Sequence, residues 1–85
     1  MSSRQEIYDA IGRERDYQDH KWGAAHDSQH TVAEFILIIE SKLSDAKRAW
    51  IKQGDAESLC EILQVISVGV ACLEVYGCHE RSKER

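Results

Sequence analysis

The stretch ILQVISVGVACLEV, residues 62–75, is apolar on almost every side of a helix. Its main polar residues are Gln64, Ser67 and Glu74. A helix on the surface of a fold shows one apolar stripe, whereas a helix that is apolar all round is buried in the centre. Gly69 inside this stretch costs about 1 kcal/mol relative to alanine, a cost that the close approach of another helix would offset. We therefore expect a central helix with neighbours on several sides.

A capping residue and two glycines mark the limits of this helix. Asp55 can cap its first turn, and Gly77 is the stop signal after about Tyr76. Gln53 and Gly54 end the preceding helix in a tight turn, so the two helices should pack antiparallel. One chain of 85 residues offers too few helices to cover the central one. We therefore expect a second chain to supply the rest, in a helical-bundle dimer or higher oligomer.

Two capping boxes begin the other helices. Ser3 with Glu6 begins a helix that should run to about Gln18. Thr31 with Glu34 begins the helix that ends at the tight turn. Apolar residues of that helix step by three and four and should form one stripe that faces the core: Val32, Phe35, Ile36, Ile39, Leu43, Ala46 and Trp50. The predicted fold class is all-α, a three-helix chain.

The composition is that of one small domain without the usual features of a nucleic-acid or membrane protein. The formal net charge of -4 gives no basic field that would draw the chain onto nucleic acid. The three cysteines have no CxxC spacing, so we expect free thiols in a reducing cytoplasm, two of them in the core. The N-terminus lacks an apolar signal region, and the run 62–75 is shorter than the roughly 20 residues that span a bilayer. We expect one soluble, cytoplasmic domain, residues 1–85, with a frayed tail over residues 79–85.

Four blocks of sequence together resemble a known family. They are RERDYQDHKWG (residues 13–23), a loop that contains His30, FILIIESKLSDAKRAW (residues 35–50) and LCEILQVISVGVACLE (residues 59–74). Their order and spacing resemble the small phage-type members of the MazG-like, all-α nucleotide pyrophosphatase superfamily. The resemblance implies a helical hairpin that assembles into a dimeric or tetrameric bundle. It also implies a magnesium-dependent site that cleaves nucleoside triphosphates to monophosphate and pyrophosphate.

The metal motifs of that family are altered in this chain. The family pattern is Glu-Glu-x-x-Glu on one helix and Glu-x-x-Asp on the next, because carboxylates three residues apart share a helix face. Ser41 and Lys42 replace two of the glutamates, and Gln64 replaces the aspartate. An ammonium at Lys42 repels magnesium and can pair with Asp45 or Glu61, the remaining carboxylates. The resemblance therefore implies a vestigial metal site at Asp45 and Glu61, with no cofactor expected, and magnesium only if the chain is an active enzyme.

Cationic and aromatic side chains near these motifs are candidates for ligand binding. Lys21 beside Trp22 can touch a phosphate and stack a base, although Trp22 would serve equally well as a lid over the core. Arg48 belongs to a basic edge near the end of the second helix. The predicted ligand site consists of Lys21, Trp22, Lys42, Arg48 and Gln64.

The polar connection DHKWGAAHDSQH, residues 19–30, contains His20, His26 and His30. Their spacings of six and four match no zinc signature. We therefore interpret them as loop histidines that are partly solvated or packed on Trp22.

The leading functional hypothesis is a MazG-like module, phage encoded, with weak or lost pyrophosphohydrolase activity. It would act in the host cytoplasm as a homo-oligomer that binds a nucleotide-like ligand or a host protein. One alternative is an active metal-dependent nucleoside triphosphate pyrophosphohydrolase that recruits other ligands such as Glu57 or Glu40. A further alternative is a structural helical adaptor that uses the apolar third helix as an interface.

Overall fold

A computed structural model describes residues 1–81, apart from the side chain of Ala24, and this part of the chain is all-α, as predicted. Its helices are α1 (Arg4–Trp22), α2 (Ala24–Ser28), α3 (Val32–Gln53) and α4 (Asp55–Tyr76). Residues 79–81 of the predicted tail follow the last helix without regular structure, and residues 82–85 lie outside the described part.

Both predicted capping boxes are present. The Ser3 hydroxyl accepts a hydrogen bond from the backbone N–H of Glu6, and the Glu6 carboxylate accepts one from the backbone N–H of Ser3, each at 3.1 Å. Thr31 and Glu34 form the same reciprocal pair at the start of α3. In both boxes the pKa of the glutamate is lowered below its ordinary value. The larger cause is the hydrogen bond from the backbone N–H of the capping residue, and the smaller is the hydrogen bond with its side chain. Local sequence therefore determines where α1 and α3 begin.

The three-helix prediction is wrong in the polar connection, because α1 is longer than expected and α2 was not predicted. No helix breaker follows Gln18, so α1 continues until Gly23, whose φ of 84° ends it. The backbone N–H of Gly23 donates to the carbonyl of Asp19 at 2.8 Å. The short α2 begins directly after this glycine. Most of the expected loop is therefore helical.

A single residue, Gly54, separates α3 from α4. It has φ 88° and ψ −161° and is the cap residue of both helices. The sequence predicted Asp55 as the N-cap of α4, and this is wrong, because Asp55 is the first residue of the helix. Its carboxylate accepts a hydrogen bond from Trp50 Nε1 at 2.9 Å. Just beyond the turn, the buried Ser58 hydroxyl donates to the carbonyl of Ala46 at 3.1 Å. The turn therefore brings α3 and α4 into contact at once.

Helix α4 packs against α1, α2 and α3, which confirms its predicted central place. The core lies mainly between α3 and α4, where Phe35, Val68 and Ala71 are buried. Partly buried residues surround these three: Ile38, Ile39 and Cys72. The Tyr76 hydroxyl, at the far end of α4 from the turn, donates to the carbonyl of His30, just before α3. The two long helices are thus held together near both ends.

The predicted apolar stripe of α3 is only partly buried. Phe35 and Ala46 are inside, whereas Ile36, Leu43 and Trp50 are 58%, 56% and 58% exposed. Among the described residues α3 packs against α4 and against no other helix. One neighbouring helix covers a narrow line of side chains, so the rest of the stripe faces outward.

The cysteines are free thiols, as predicted, but two of them are not in the core. Cys72 is half-buried beside the core, whereas Cys60 and Cys78 are exposed. Cys60 belongs to the first part of α4, where α3 is the main neighbour, and Cys78 follows the end of that helix. The prediction assumed that α4 is buried on all sides. Within one chain part of its surface is exposed, and that part includes Cys60.

The surface of α4 has two further properties that bear on its partners. A Cβ added at Gly69 would meet no neighbouring heavy atom within 4 Å, so no helix of the same chain approaches it closely. The whole of α4 also meets the length and hydropathy criteria of a membrane span, with a mean hydropathy of 1.8 over its best window. This is a criterion of length and composition only, and it applies to a window longer than the apolar run 62–75. The core helix of a soluble protein, when mostly buried, passes the same test; 22% of this window of α4 is buried within the chain.

Candidate functional site

A cavity of about 370 Å³ opens where all four helices meet. Four of the predicted ligand-binding residues, Lys21, Trp22, Lys42 and Gln64, line it. They come from α1, α3 and α4, so the fold brings together residues that are far apart in sequence. The other lining residues are Glu14, Tyr17, Gln18, His26, Asp27, His30, Phe35, Ile38, Val68 and Ala71.

The cavity has an apolar base and a polar rim. Phe35 and Ala71, each 2% exposed, form part of the base and belong to the core. Trp22 is 59% exposed and stands at the rim, so it does not act as a lid over the core. Lys42 and Gln64 are half-buried on opposite long helices. A ligand with one flat apolar part and one anionic part would find suitable surfaces here.

Lys21 lies close to two aromatic rings at the rim. Its Nζ atom is 5.1 Å from the ring centroid of Trp22 and 5.9 Å from that of Tyr17. At these distances the ring faces attract the ammonium group. The neighbouring residues Lys21 and Trp22, which the sequence suggested as a cation and an aromatic ring acting together, are therefore in contact with each other.

A series of aromatic contacts runs from the rim to the core. Trp22 stacks on His26 with centroids 5.7 Å apart, and the ring of His26 meets that of His30 edge-on at 4.7 Å. His30 in turn contacts Phe35 at 5.5 Å, and Phe35 contacts Tyr76 at 6.4 Å. The interpretation of the loop histidines as packed on Trp22 is confirmed for His26.

The strongest polar cluster beside the cavity surrounds Arg15, a residue that the sequence analysis missed. Its side chain is 8% exposed and forms ion pairs with three carboxylates: Glu74 at 2.5 Å, Asp19 at 2.9 Å and Asp27 at 3.2 Å. Its Nη1 atom donates to the amide oxygen of Gln18 at 3.0 Å. Arg15 thus ties α1 to α2 and to the end of α4.

Hydrogen bonding and charge keep Arg15 ionised in spite of its burial. Burial alone would lower the pKa of Arg15, but the hydrogen bonds to Glu74 and Asp19, together with their charges, raise it above its ordinary value. Of the three carboxylates, only that of Asp19 lies at a helical spacing from Arg15, four residues further along the chain. The contacts with Asp27 and Glu74 join distant parts of the sequence, so no local pattern indicates them. By holding α2 in place, Arg15 positions the aromatic rim of the cavity.

The predicted metal residues lie outside the cavity. The Asp45 carboxylate accepts a hydrogen bond from Arg48 and forms an ion pair with it. The sequence had indicated Lys42 as a partner of Asp45, so that pairing is corrected. Helical side chains lean toward the N-terminus, so Arg48 leans back over Asp45 whereas Lys42 leans away from it. Glu61 is half-buried on α4 and does not line the cavity. Arg48 is therefore engaged with Asp45 and does not join the other predicted ligand-binding residues.

The described residues contain no group of three or more His, Cys, Asp or Glu side chains arranged to hold a metal ion. Glu40, one of the alternative ligands, lines a separate groove with Leu43 and Trp50, and Glu57 is exposed at the start of α4. Neither lines the cavity.

No family model, curated protein or solved structure matches the chain. Its function is therefore inferred from the cavity and the side chains around it.

Proposed function

We propose that the protein is a MazG-like helical module that binds a nucleotide-like ligand in the cavity between its helices, with weak or lost pyrophosphohydrolase activity. The observation that carries this proposal is the meeting of Lys21, Trp22, Lys42 and Gln64 at one cavity. Motif positions in the sequence alone indicate the same four residues. The cavity volume of about 370 Å³ falls within the range of small-molecule sites.

Each of these side chains can make a specific contact with such a ligand. The exposed ring of Trp22 offers a face on which a base can stack. Lys21 and Lys42 supply positive charge for phosphate oxygens, and Lys42 is the more buried of the two residues. The amide of Gln64 can both donate and accept hydrogen bonds, as base recognition requires.

Weak or lost catalysis follows from the chemistry of the altered motifs. Magnesium needs oxygen ligands, and its ordinary protein ligands are carboxylates. Lys42 brings an ammonium to the cavity, where it neutralises phosphate without an ion. The pairing of Asp45 with Arg48 further lowers the negative charge that a cation would meet. Binding without magnesium is therefore the proposed mode.

The proposed assembly is a homo-oligomer in which α3 and α4 form an antiparallel hairpin. Apolar side chains on the outer faces of both helices support it, among them Ile36, Leu43, Leu59 and Leu73, which are 58%, 56%, 63% and 47% exposed. A second copy that covers them would bury a large apolar area. The open space beside Gly69 would accommodate a helix of that copy. We place this oligomer in the cytoplasm, that of the host if the chain is phage encoded.

Fluorescence titration tests the ligand proposal. Trp50→Phe leaves Trp22 as the only tryptophan, and its emission should change on adding the nucleoside triphosphate that binds. Lys42→Ala should weaken binding at least about tenfold, as loss of a charge-assisted hydrogen bond does. Lys47→Ala, an exposed lysine of the same helix outside the cavity, should leave binding unchanged.

The same titrations, repeated with magnesium while pyrophosphate release is measured, separate the alternatives. Pyrophosphate release that depends on the metal would replace the proposal by an active pyrophosphohydrolase. Absence of both binding and hydrolysis across the common triphosphates would refute the ligand proposal and favour a host-protein partner or a structural adaptor.

A further inference from the structure

We propose that His26 and His30 form a chelating site for a divalent transition-metal ion, such as zinc, nickel or copper, at the rim of the cavity. The two Nε2 atoms are 3.2 Å apart. Both rings line the cavity. The site does not depend on the nucleotide proposal, and it differs in ligands and in metal class from the magnesium motif at Asp45 and Glu61.

The separation of the two nitrogens matches that of two ligands on one ion. Imidazole nitrogens bind zinc at about 2.0–2.1 Å. Two nitrogens at that distance from one ion lie about 3.3 Å apart at a tetrahedral angle and about 2.9 Å apart at a right angle. The observed 3.2 Å falls between these values. The nitrogen separation is therefore compatible with both atoms binding one ion.

The two rings meet edge-on, with centroids 4.7 Å apart and ring planes at 88°. In this arrangement a bound ion would replace the hydrogen bond that joins His26 Nε2 and His30 Nε2.

Neighbouring groups hold the two rings in this arrangement. His30 Nδ1 lies 3.8 Å from a carboxylate oxygen of Glu34, the kind of outer partner that orients a ligating histidine. The Tyr76 hydroxyl donates to the carbonyl of His30, and Trp22 stacks on the ring of His26. The capping box fixes Glu34, because its other carboxylate oxygen accepts from the backbone N–H of Thr31. The pair is thus built into the junction between α2 and α3.

The chemistry of the donors selects the metal class. Neutral imidazole suits zinc, copper and nickel, whereas magnesium prefers oxygen. With two protein ligands, the remaining coordination positions stay open to water and to donor groups of a ligand in the cavity. Because a protonated imidazole cannot bind a metal ion, binding should weaken in acid.

Calorimetric titration of the intact chain with zinc chloride or nickel chloride alone tests the site. We expect one ion per chain, and His26→Ala and His30→Ala should each weaken binding at least about tenfold. His26→Gln, which keeps a hydrogen-bonding group beside Trp22, should weaken it as well. His20→Ala and His79→Ala, which alter exposed histidines outside the pair, should leave binding unchanged.

Two measurements give independent readouts. Copper should quench the emission of Trp22 in the Trp50→Phe chain, because Trp22 stacks on His26, and zinc should not quench it. Nitrogen NMR of the wild-type imidazoles should show zinc-dependent shifts of both Nε2 atoms, a result that holds even if the alanine variants unfold. No binding, or binding that follows His20 or His79 while the His26 and His30 signals stay unchanged, would overturn the proposal.

Discussion

Replacing the buried Arg15 by methionine should strongly destabilise the fold. Methionine keeps the length and apolar stem of arginine but removes the charge, which leaves Asp19, Asp27 and Glu74 close together without a cation. Removing one partner of a buried ion pair costs about 3–5 kcal/mol. Because the Asp19 and Glu74 side chains are 40% and 50% exposed and can regain water, we reduce this to about 2–4 kcal/mol.

Thermal and urea denaturation followed by circular dichroism at neutral pH would measure this loss. For a domain of this size, the expected fall in Tm is roughly 10–25 °C. Arg13→Met is the matched control, since Arg13 is exposed on the same helix, and it should change stability by less than about 0.5 kcal/mol. Both variants must be compared at one protein concentration, because association raises Tm. If Arg15→Met melts within a few degrees of Arg13→Met, the three contacts do not hold α2 and α4 to α1 as described.

Three other predictions concern assembly, acid stability and magnesium. If the proposed oligomer forms, Gly69→Leu should shift the protein toward monomer in sedimentation experiments, because its side chain would fill the open space in which a second copy is proposed to pack; an unchanged oligomer would contradict this. Glu34→Gln should be less stable than wild type at neutral pH, and the difference in the free energy of unfolding should vanish in acid. The pKa of Glu34 is lowered in the folded state, so its contribution is present above the unfolded pKa and is lost as pH falls through the folded one. Wild type should show no rise in Tm with magnesium; stabilisation of wild type by millimolar magnesium would contradict the proposed mode of binding.

Three limits of the long helices could be predicted because they depend on neighbouring residues. Capping boxes and glycines act within one turn of the chain, so the starts of α1 and α3 and the end of α4 at Gly77 follow from sequence alone. The short α2 could not be predicted in this way. Five residues make a marginal helix, and contacts with α1 and α4 hold it in place.

The candidate site could be predicted in part. Lys21, Trp22, Lys42 and Gln64 were chosen from motif positions, and they line one cavity. Arg15 was missed because two of its three ion partners, Asp27 and Glu74, are brought to it only by the fold. The pairing of Lys42 with Asp45 was wrong because helical spacing alone does not show which way a side chain leans.

The single-residue turn at Gly54 makes the handedness of one residue a determinant of stability. Its φ of 88° and ψ of −161° lie in a region that L-amino acids avoid, although a side chain there would meet no neighbouring atom within 4 Å. Inverting the signs gives an extended conformation that any L-residue adopts, so a D-residue at this position is free of strain. In a chemically synthesised chain, D-alanine at position 54 should therefore stabilise the fold by about 0.4–1 kcal/mol through the entropy of the unfolded state. L-alanine, whose Cβ would meet no neighbouring atom within 4 Å, should destabilise the fold by about 1–3 kcal/mol through its backbone conformation.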